Sequence, residues 1–467
     1  MDFLIKNKNM KNEKIIINPW INTKSYYIPD TGHFCFIEDI KSRTFYLIKG
    51  EIVILWNEIT KFANYTKINE FAIKNNLEEE LQAFLYELQN KEIINLNKLF
   101  EKNEKNYLKY AISLDKKRFP HINKTVTNIL INNNFLPSLT FLLNYACNLN
   151  CKHCFNPKNQ NELSINFETA KKIIDEACEL GVNQISLTGG ESTINKDFLK
   201  IANYIREKHM RLCVFTNGQL FFDNKNLLKE VIGLYPYEVI FSIYSLNPET
   251  HDQITSSKGS LDKTKYVIDQ LRKHNIKVKI NCFITSKNKN DYKEVEEYAK
   301  SINSEYIVDC KFIYNEENNN LSYKLEEKDI EAFYKETLNI ENPRNFVKKD
   351  DSPICTAGTN NIGVTPNLDI TPCIYFNYKL GNYKTDSLKS IYNTEIQNFK
   401  KIFIHKNLIE CNKENYCKYC SYCSIIGWSN DKCFKKIEIL CEDAKAYQKA
   451  LLFHQEKLSD KKTSELQ

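Results

Sequence analysis

The residues of this chain best suited to chemistry are three cysteines. They stand in Asn144-Tyr145-Ala146-Cys147-Asn148-Leu149-Asn150-Cys151-Lys152-His153-Cys154-Phe155, separated by three residues and then by two. Thiolates along one loop suit a soft metal ion or an iron–sulfur cluster. A cubane of four irons needs four ligands and this run offers three, so one iron is left able to bind and activate a substrate. Zinc on Cys147, Cys151, Cys154 and His153 is the alternative, although the adjacent His153 and Cys154 make awkward corners of one tetrahedron. Further on, Thr188-Gly189-Gly190-Glu191 joins two residues that let backbone approach a ligand to a carboxylate able to take an ammonium group. Asn217, Ser242 and Asn281 put polar side chains in or beside apolar stretches, where they need partners if buried. A second group of sulfurs, Cys355, Cys373, Cys411, Cys417, Cys420, Cys423, Cys433 and Cys441, numbers eight, as two fully ligated cubanes require. Zinc is again the alternative there.

Composition bounds what can surround these groups. The chain has 467 residues, enough for about three domains. Its net charge of +6 comes from 65 basic and 59 acidic residues spread along the chain, which argues against a nucleic-acid partner. No apolar run approaches membrane-spanning length, and the Lys- and Asn-rich start has no apolar signal core. A cytoplasmic protein with no membrane partner is expected. Sixteen cysteines in such a chain read as metal ligands rather than disulfides. Cys35, Cys178, Cys213, Cys282 and Cys310 are scattered in apolar contexts and read as small buried hydrophobes.

Several elements must position the cysteines. Residues 1–24 are polar and read as a flexible arm. Residues 25–97 form a compact unit: strands at His33–Glu38 and Thr44–Gly50, then helices over Glu51–Thr60, from Thr66, and over Leu77–Lys91. Residues 98–136 read as a linker with a helical piece around Ile122–Ile131. From Leu139 strand and helix alternate, with strands at Leu139–Leu143, Gln184–Leu187, Leu212–Phe215, Val239–Ile243, Lys277–Ile284 and Tyr306–Phe312. This alternation predicts a parallel sheet, curved or closed, with the cysteine loop after its first strand, where barrel enzymes place chemistry. Residues 313–350 read as a helical bridge. A hairpin is predicted around Pro366-Asn367-Leu368-Asp369, and residues 446–467 read as a tail.

The CxxxCxxC run resembles the signature of the radical S-adenosylmethionine (SAM) superfamily. The resemblance implies a [4Fe-4S] cluster on Cys147, Cys151 and Cys154 whose open iron chelates SAM. His153 then takes a position usually held by an aromatic residue near the adenine. Gly189, Gly190 and Glu191 match the element that meets the SAM amino group, and Asn217, Ser242 and Asn281 match positions that meet its ribose and carboxylate. Tyr244 stands where many relatives have Asp, and His251-Asp252-Gln253-Ile254 with Gly259-Ser260 resembles a segment common in peptide-modifying members. The late cysteines resemble the SPASM extension, implying two auxiliary [4Fe-4S] clusters.

The implied fold class is α/β: a partial (β/α)6 TIM barrel of radical SAM type over residues 137–340 and a Cys-rich SPASM domain over 341–445. Residues 25–97 resemble the winged-helix-like leader-peptide recognition domain of ribosomal-peptide maturases. There a leader would add a strand at the Thr44–Lys49 edge, near Trp56. The implied function is reductive cleavage of SAM to a 5′-deoxyadenosyl radical and oxidative crosslinking of a ribosomally made precursor peptide. Resemblance to sactipeptide and ranthipeptide maturases favours Cys thioether bonds. Carbon–carbon crosslinking, epimerisation with Cys310 as hydrogen donor, and sulfatase maturation are alternatives, though that last subfamily places Asp where Thr356 stands. From another class comes a non-catalytic zinc or electron-transfer peptide adaptor. Implied partners are a precursor peptide with its leader and a reductant such as flavodoxin or ferredoxin. No residue is singled out as a catalytic acid or base.

Overall fold

In the computed structural model of this chain, residues 14–29, 32–42, 44–96, 111–113, 122–157, 162–310, 320–338, 353–375, 378–404, 414–420 and 438–464 are described. The expected arm over residues 1–24 gives way to strand: β1 (Ile16–Ile17) and β2 (Ile21–Ile28). In β2 only Ile21, Tyr26 and Ile28 are buried apolar residues, too few for the sequence pattern to mark a strand. Pairing makes it one, because β2 runs antiparallel along the whole of β3 (Gly32–Asp39). The other side of β3 pairs with β4 (Thr44–Lys49). Gly50, at φ 74°, turns the chain into α1 (Glu51–Phe62). Next come α2 (Tyr65–Lys74), whose Asn64 cap accepts from the Lys67 N–H at 3.1 Å, and α3 (Glu78–Asn90). Ile37, Ile48, Val53, Trp56, Phe84 and Leu88 are core residues of this unit. β5 (Ile94–Asn95) returns beside β1.

Within the stretch expected to be linker, β6 (Ala111–Ser113) lies along the outer side of β4, pairing Ser113 with Thr44 and Ala111 with Tyr46. The sheet therefore runs β2-β3-β4-β6, and the edge expected to be open is paired over Thr44–Tyr46 among the described residues. α4 (Ile122–Asn132) leads to the barrel.

The alternating region then follows. Its elements are β7 (Ser138–Leu142), α5 (Phe167–Glu179), β8 (Gln184–Thr188), α6 (Phe198–Glu207) and β9 (Arg211–Thr216). They continue with α7 (Gln219–Asp223), α8 (Lys225–Leu234), β10 (Glu238–Ser242), α9 (Pro248–Thr255) and α10 (Ser260–Lys273). β11 (Val278–Phe283), α11 (Tyr292–Ser301) and β12 (Glu305–Asp309) complete it. β7 to β12 pair in sequence order, all parallel, and form the partial barrel. Leu139, Phe141, Ile185, Leu187, Leu212, Val214, Val239, Phe241, Val278 and Ile280 share the main core with the helices. Side chains alternate along a strand, so Ser186, Phe215, Ser242, Asn281 and Phe283 fall on the opposite, inner face. There Phe215 and Ile307 are 37% and 41% exposed, leaving room for a substrate.

After α12 (Glu327–Thr337), the predicted hairpin is β13 (Asn361–Val364) and β14 (Asp369–Thr371), with Leu368 at φ 66° in its turn. It does not stand apart from the barrel. β13 runs parallel to β7, Asn361 opposite Ser138, and β15 (Gly381–Asn382) pairs with β14, so one nine-stranded sheet joins the two regions. α13 (Leu388–Ile391) and α14 (Gln397–Ile402) follow. The expected tail over 446–467 belongs mostly to α15 (Glu438–Ser464), with Ala446, Tyr447, Ala450 and Leu451 buried. The Tyr447 ring meets Tyr334 of α12 at 5.1 Å, and that packing holds this helix on α12. Among the described residues no helix is long and apolar enough to cross a membrane.

Candidate cluster and cofactor site

The cysteine loop leaves the C-terminal end of β7, and the turn after β8 grips it. The Gly190 and Glu191 N–H groups donate to the Asn144 and Ala146 carbonyls, each at 2.9 Å. Asn144 Nδ2 donates back to the Glu191 carbonyl at 3.2 Å, and Asn156 Nδ2 donates to that of Gly189 at 2.9 Å. The need for two glycines is steric. A Cβ on Gly190 would lie 2.3 Å from the Ala146 oxygen and 2.4 Å from that of Tyr145, while one on Gly189 would lie 2.5 Å from the Asn144 oxygen. What these glycines admit is the backbone of the cysteine loop itself.

Glu191 is held by the protein in a related way. Its side chain is only 1% exposed, and its carboxylate accepts from the Thr193 N–H and hydroxyl at 3.2 and 2.7 Å, the Thr216 hydroxyl at 2.9 Å and the Asn217 N–H at 2.8 Å. Burial raises its pKa above the usual carboxylate range, and these four donors oppose the rise. In this arrangement Glu191 holds β8's exit to β9's exit with its own oxygens. The Asn217 side chain donates to Asn148 Oδ1 at 2.8 Å and lies 3.8 Å from the Cys147 sulfur, so β9's exit also reaches the cysteine loop.

The loop's sulfurs share one electrostatic environment. Burial pushes the Cys147 thiol up to about 12, and the charges of Glu191 and Cys154 push the same way. Cys151 is raised further, by burial and then by Cys154 and Cys147. Thiols raised in this way do not ionise together unaided. A cationic iron–sulfur cluster supplies the missing positive charge, so the donor set fits one. The buried His153 ring stacks on Phe283 at 5.4 Å and meets Tyr244 edge-on at 4.6 Å. Burial lowers its pKa to about 4, so the imidazole is neutral at pH 7. Ser242 and Asn281 are register neighbours near the C-terminal ends of β10 and β11, on the face that carries Phe283.

Sequence reasoning passed over Asn144, Thr216 and Asn156, which hold the site's backbone together. The available signal was a polar residue directly beyond an apolar strand or beside the cysteine run.

The later cysteines fall in two places. Cys355 and Cys373 lie at the root of the β13–β14 hairpin, where the Gly358 N–H donates to the Pro372 carbonyl at 2.8 Å. Cys417, Cys420 and Cys441 all bear electrostatically on the Tyr416 phenol, and the Cys420 thiol reaches the Leu440 carbonyl at 3.9 Å. α15 thus carries Cys441 to the turn at Asn415–Tyr419. Cys411, Cys423 and Cys433 lie outside the described residues. Of the five scattered cysteines, Cys35, Cys213, Cys282 and Cys310 are buried and Cys178 is half-buried.

Comparison with known proteins places these observations in a family. Residues 142–302 match the radical SAM superfamily, and residues 355–424 match the iron–sulfur cluster-binding SPASM domain. The antilisterial bacteriocin subtilosin biosynthesis protein AlbA of Bacillus subtilis (strain 168) is 28% identical over 275 residues, covering 55% of this chain and 59% of that protein. The chain therefore spans less than two thirds of this relative's length. Among solved structures, Streptococcus suis SuiB bound to precursor peptide SuiA superposes with a TM-score of 0.53 at 16% identity, over 91% of this chain and 99% of that one. Native anSMEcpe with bound AdoMet and the Kp18Cys peptide superposes with a TM-score of 0.51 at 17% identity, over 70% and 100% of the two chains. Both show the fold. With three cysteines on one strand exit, a glycine turn clamping their loop and a cysteine-rich region on the same sheet, the chain carries a radical SAM region over residues 142–302 and an iron–sulfur cluster-binding SPASM domain over residues 355–424.

Proposed function

We propose that this protein is a peptide-modifying enzyme that forms Cys thioether crosslinks in a ribosomally made precursor. The observation that carries the reading is the set of three mutually biased thiols, Cys147, Cys151 and Cys154, clamped at the barrel's C-terminal rim above a partly open inner face. When bound there, an iron–sulfur cluster with SAM supplies a 5′-deoxyadenosyl radical by reductive cleavage. The chain's own part is to hold and shield. Gly189, Gly190 and Asn144 fix the loop. His153, Tyr244 and Phe283 wall one side with rings, and Ser242 and Asn281 offer polar groups from neighbouring strands. Forming a thioether removes the thiol proton, a hydrogen atom from the partner carbon and one electron. The cysteines between 355 and 441 would hold the acceptor of that electron, as one or two auxiliary clusters. AlbA's role in subtilosin biosynthesis supports a peptide substrate. The N-terminal sheet with its strand edge supports leader recognition.

Anaerobic reconstitution with iron, sulfide, SAM and a reductant tests this. About twelve irons per chain are expected for three four-iron clusters. Deoxyadenosine release should vanish in the Cys147→Ala/Cys151→Ala/Cys154→Ala variant. A short Cys-rich peptide encoded in the neighbouring reading frame should lose one hydrogen pair in mass per bond formed. Deoxyadenosine without any change in peptide mass, across candidate precursors, would remove the crosslinking reading and leave the SAM chemistry.

A further inference from the structure

A segment from outside the barrel closes one side of its inner face. Gly363 of β13 is the register partner of Thr140 of β7 and of Thr371 of β14, so all three point to one face of the sheet. That is the inner face, since Leu139 and Phe141 on either side of Thr140 point to the main core. The glycine leaves a gap there and the chain fills it. A Cβ on Gly363 would lie 2.7 Å from Thr371 Oγ1 and 3.2 Å from both the backbone nitrogen and Cγ2 of Ile374. The Thr371 hydroxyl donates to the Cys373 carbonyl at 3.0 Å, which helps to fold residues 372–374 back over β13. Tyr375 follows, and its ring meets Phe155 edge-on at 4.7 Å. Phe155 is bonded directly to Cys154, so a ring from the late cysteine region is seated beside the three-cysteine loop. Tyr375 is not used up by that contact, being 40% exposed. On the inner face, Phe215 of β9 and Ile307 of β12 are also open, and β12 is the far edge of the sheet. Among the described residues β12 and β7 do not pair, and the Tyr375 segment comes from the β7 side of that gap. Large apolar side chains left open on a concave face mark a ligand site.

We propose that Tyr375 is a specificity-determining residue: the peptide residue whose carbon loses its hydrogen packs an apolar side chain on this ring. This rests on the peptide-crosslinking reading and deepens it by naming the class of residue taken. The ring makes and breaks no bond. It fixes where the carbon sits, beside the loop that carries Cys154, and a displacement of about 1 Å at a reacting atom costs on the order of a hundredfold in rate. The phenol hydroxyl is not required, so phenylalanine serves at this position. A charged peptide side chain would lose its hydration against Tyr375, Phe215 and Ile307 without gaining a partner from them, so Asp or Lys is rejected there.

The test uses full-length, cluster-loaded protein and the short Cys-rich peptide encoded in the neighbouring reading frame. Tyr375→Ala should lower the crosslinks formed per deoxyadenosine released at least about tenfold, with KM for the peptide within about threefold of wild type. Tyr375→Phe should restore the ratio. Tyr266→Ala, which removes an exposed tyrosine of α10, should match wild type in both quantities. Contact is read apart from turnover with the photoreactive variant Tyr375→p-benzoylphenylalanine. Irradiation without SAM should attach the peptide through one apolar residue, the same one that loses its hydrogen in the wild-type reaction. A Tyr375→Ala enzyme that couples as wild type does overturns the proposal. So does photoattachment that is absent, scattered along the peptide or fixed on a charged residue. Deoxyadenosine released with no change in peptide mass sinks the crosslinking reading alone, and attachment through one apolar residue then still supports the contact. No deoxyadenosine from wild type sinks the SAM chemistry alone, and the photoattachment result again decides the contact.

Discussion

At the scale of single residues, the site depends on atoms that are absent. Gly190 has no room for a Cβ between the carbonyls of Tyr145 and Ala146, and those carbonyls belong to the loop that carries the sulfurs. Gly190→Ala is expected to cost at least about 2 kcal/mol and to lower the iron retained at the three-cysteine site, since backbone oxygens cannot step aside as a side chain can. Gly233→Ala in α8, with nothing within 4 Å of the added methyl, is the control. It should hold iron as wild type does and gain up to about 1 kcal/mol. Iron content after gel filtration and thermal melting compare the two. A Gly-Gly pair is plain in the sequence, but its neighbour is not. The same letters fit a turn around a ligand and a turn around the protein's own chain.

At the scale of elements, Trp56 changes role. The sequence places it by the leader edge, whereas the structure buries it in α1 at 1% exposure, with Nε1 donating to the Thr23 hydroxyl of β2 at 2.8 Å and its ring 6.2 Å from Phe84 of α3. Trp56→Ala should therefore cost about 3–5 kcal/mol as a core deletion. Trp56→Phe, which keeps most of the packing and loses the hydrogen bond, should cost roughly 1–2 kcal/mol. Chemical denaturation followed by far-UV circular dichroism reads both. A Trp56→Phe protein as stable as wild type but defective in peptide binding would restore the surface role. The helices of this unit were legible because their apolar residues recur at helical spacing. β2 was not, because its polar residues find partners only on β3 and on the barrel.

At the scale of the whole molecule, the N-terminal unit is bolted to the barrel through a buried ion pair. Arg211 at the start of β9 donates from Nε and Nη2 to Glu38 of β3 at 2.7 and 3.0 Å, with side-chain exposures of 12% and 3%. Arg206 adds bonds to the Pro19 and Ile21 carbonyls at 2.5 and 3.2 Å, and to the Asn22 side chain. Glu38→Gln leaves the Arg211 guanidinium buried without its counter-charge, and the expected penalty is about 3–5 kcal/mol. It should appear as release of the N-terminal unit in limited proteolysis while the barrel stays resistant. A variant digested at the wild-type rate would show that the pair does not hold the two regions together. At the other end of the sheet, β13 beside β7 means that the cysteine-rich region and the three-cysteine loop share strands rather than a flexible joint.

The donor chemistry was written in the sequence alone. A run of three cysteines within eight residues is brought together by covalent connectivity, and six alternating strands announce themselves by their apolar period. Contacts between distant segments belong to the tertiary structure. The glycine turn closes on the cysteine loop, Glu191 turns inward to four protein donors, β6 lies on β4, and α15 carries Cys441 to Cys417 and Cys420. None of these leaves a local pattern, because each partner satisfies the same propensity rules wherever it docks. The choice is made by which buried hydrogen bonds and close packings the rest of the fold allows.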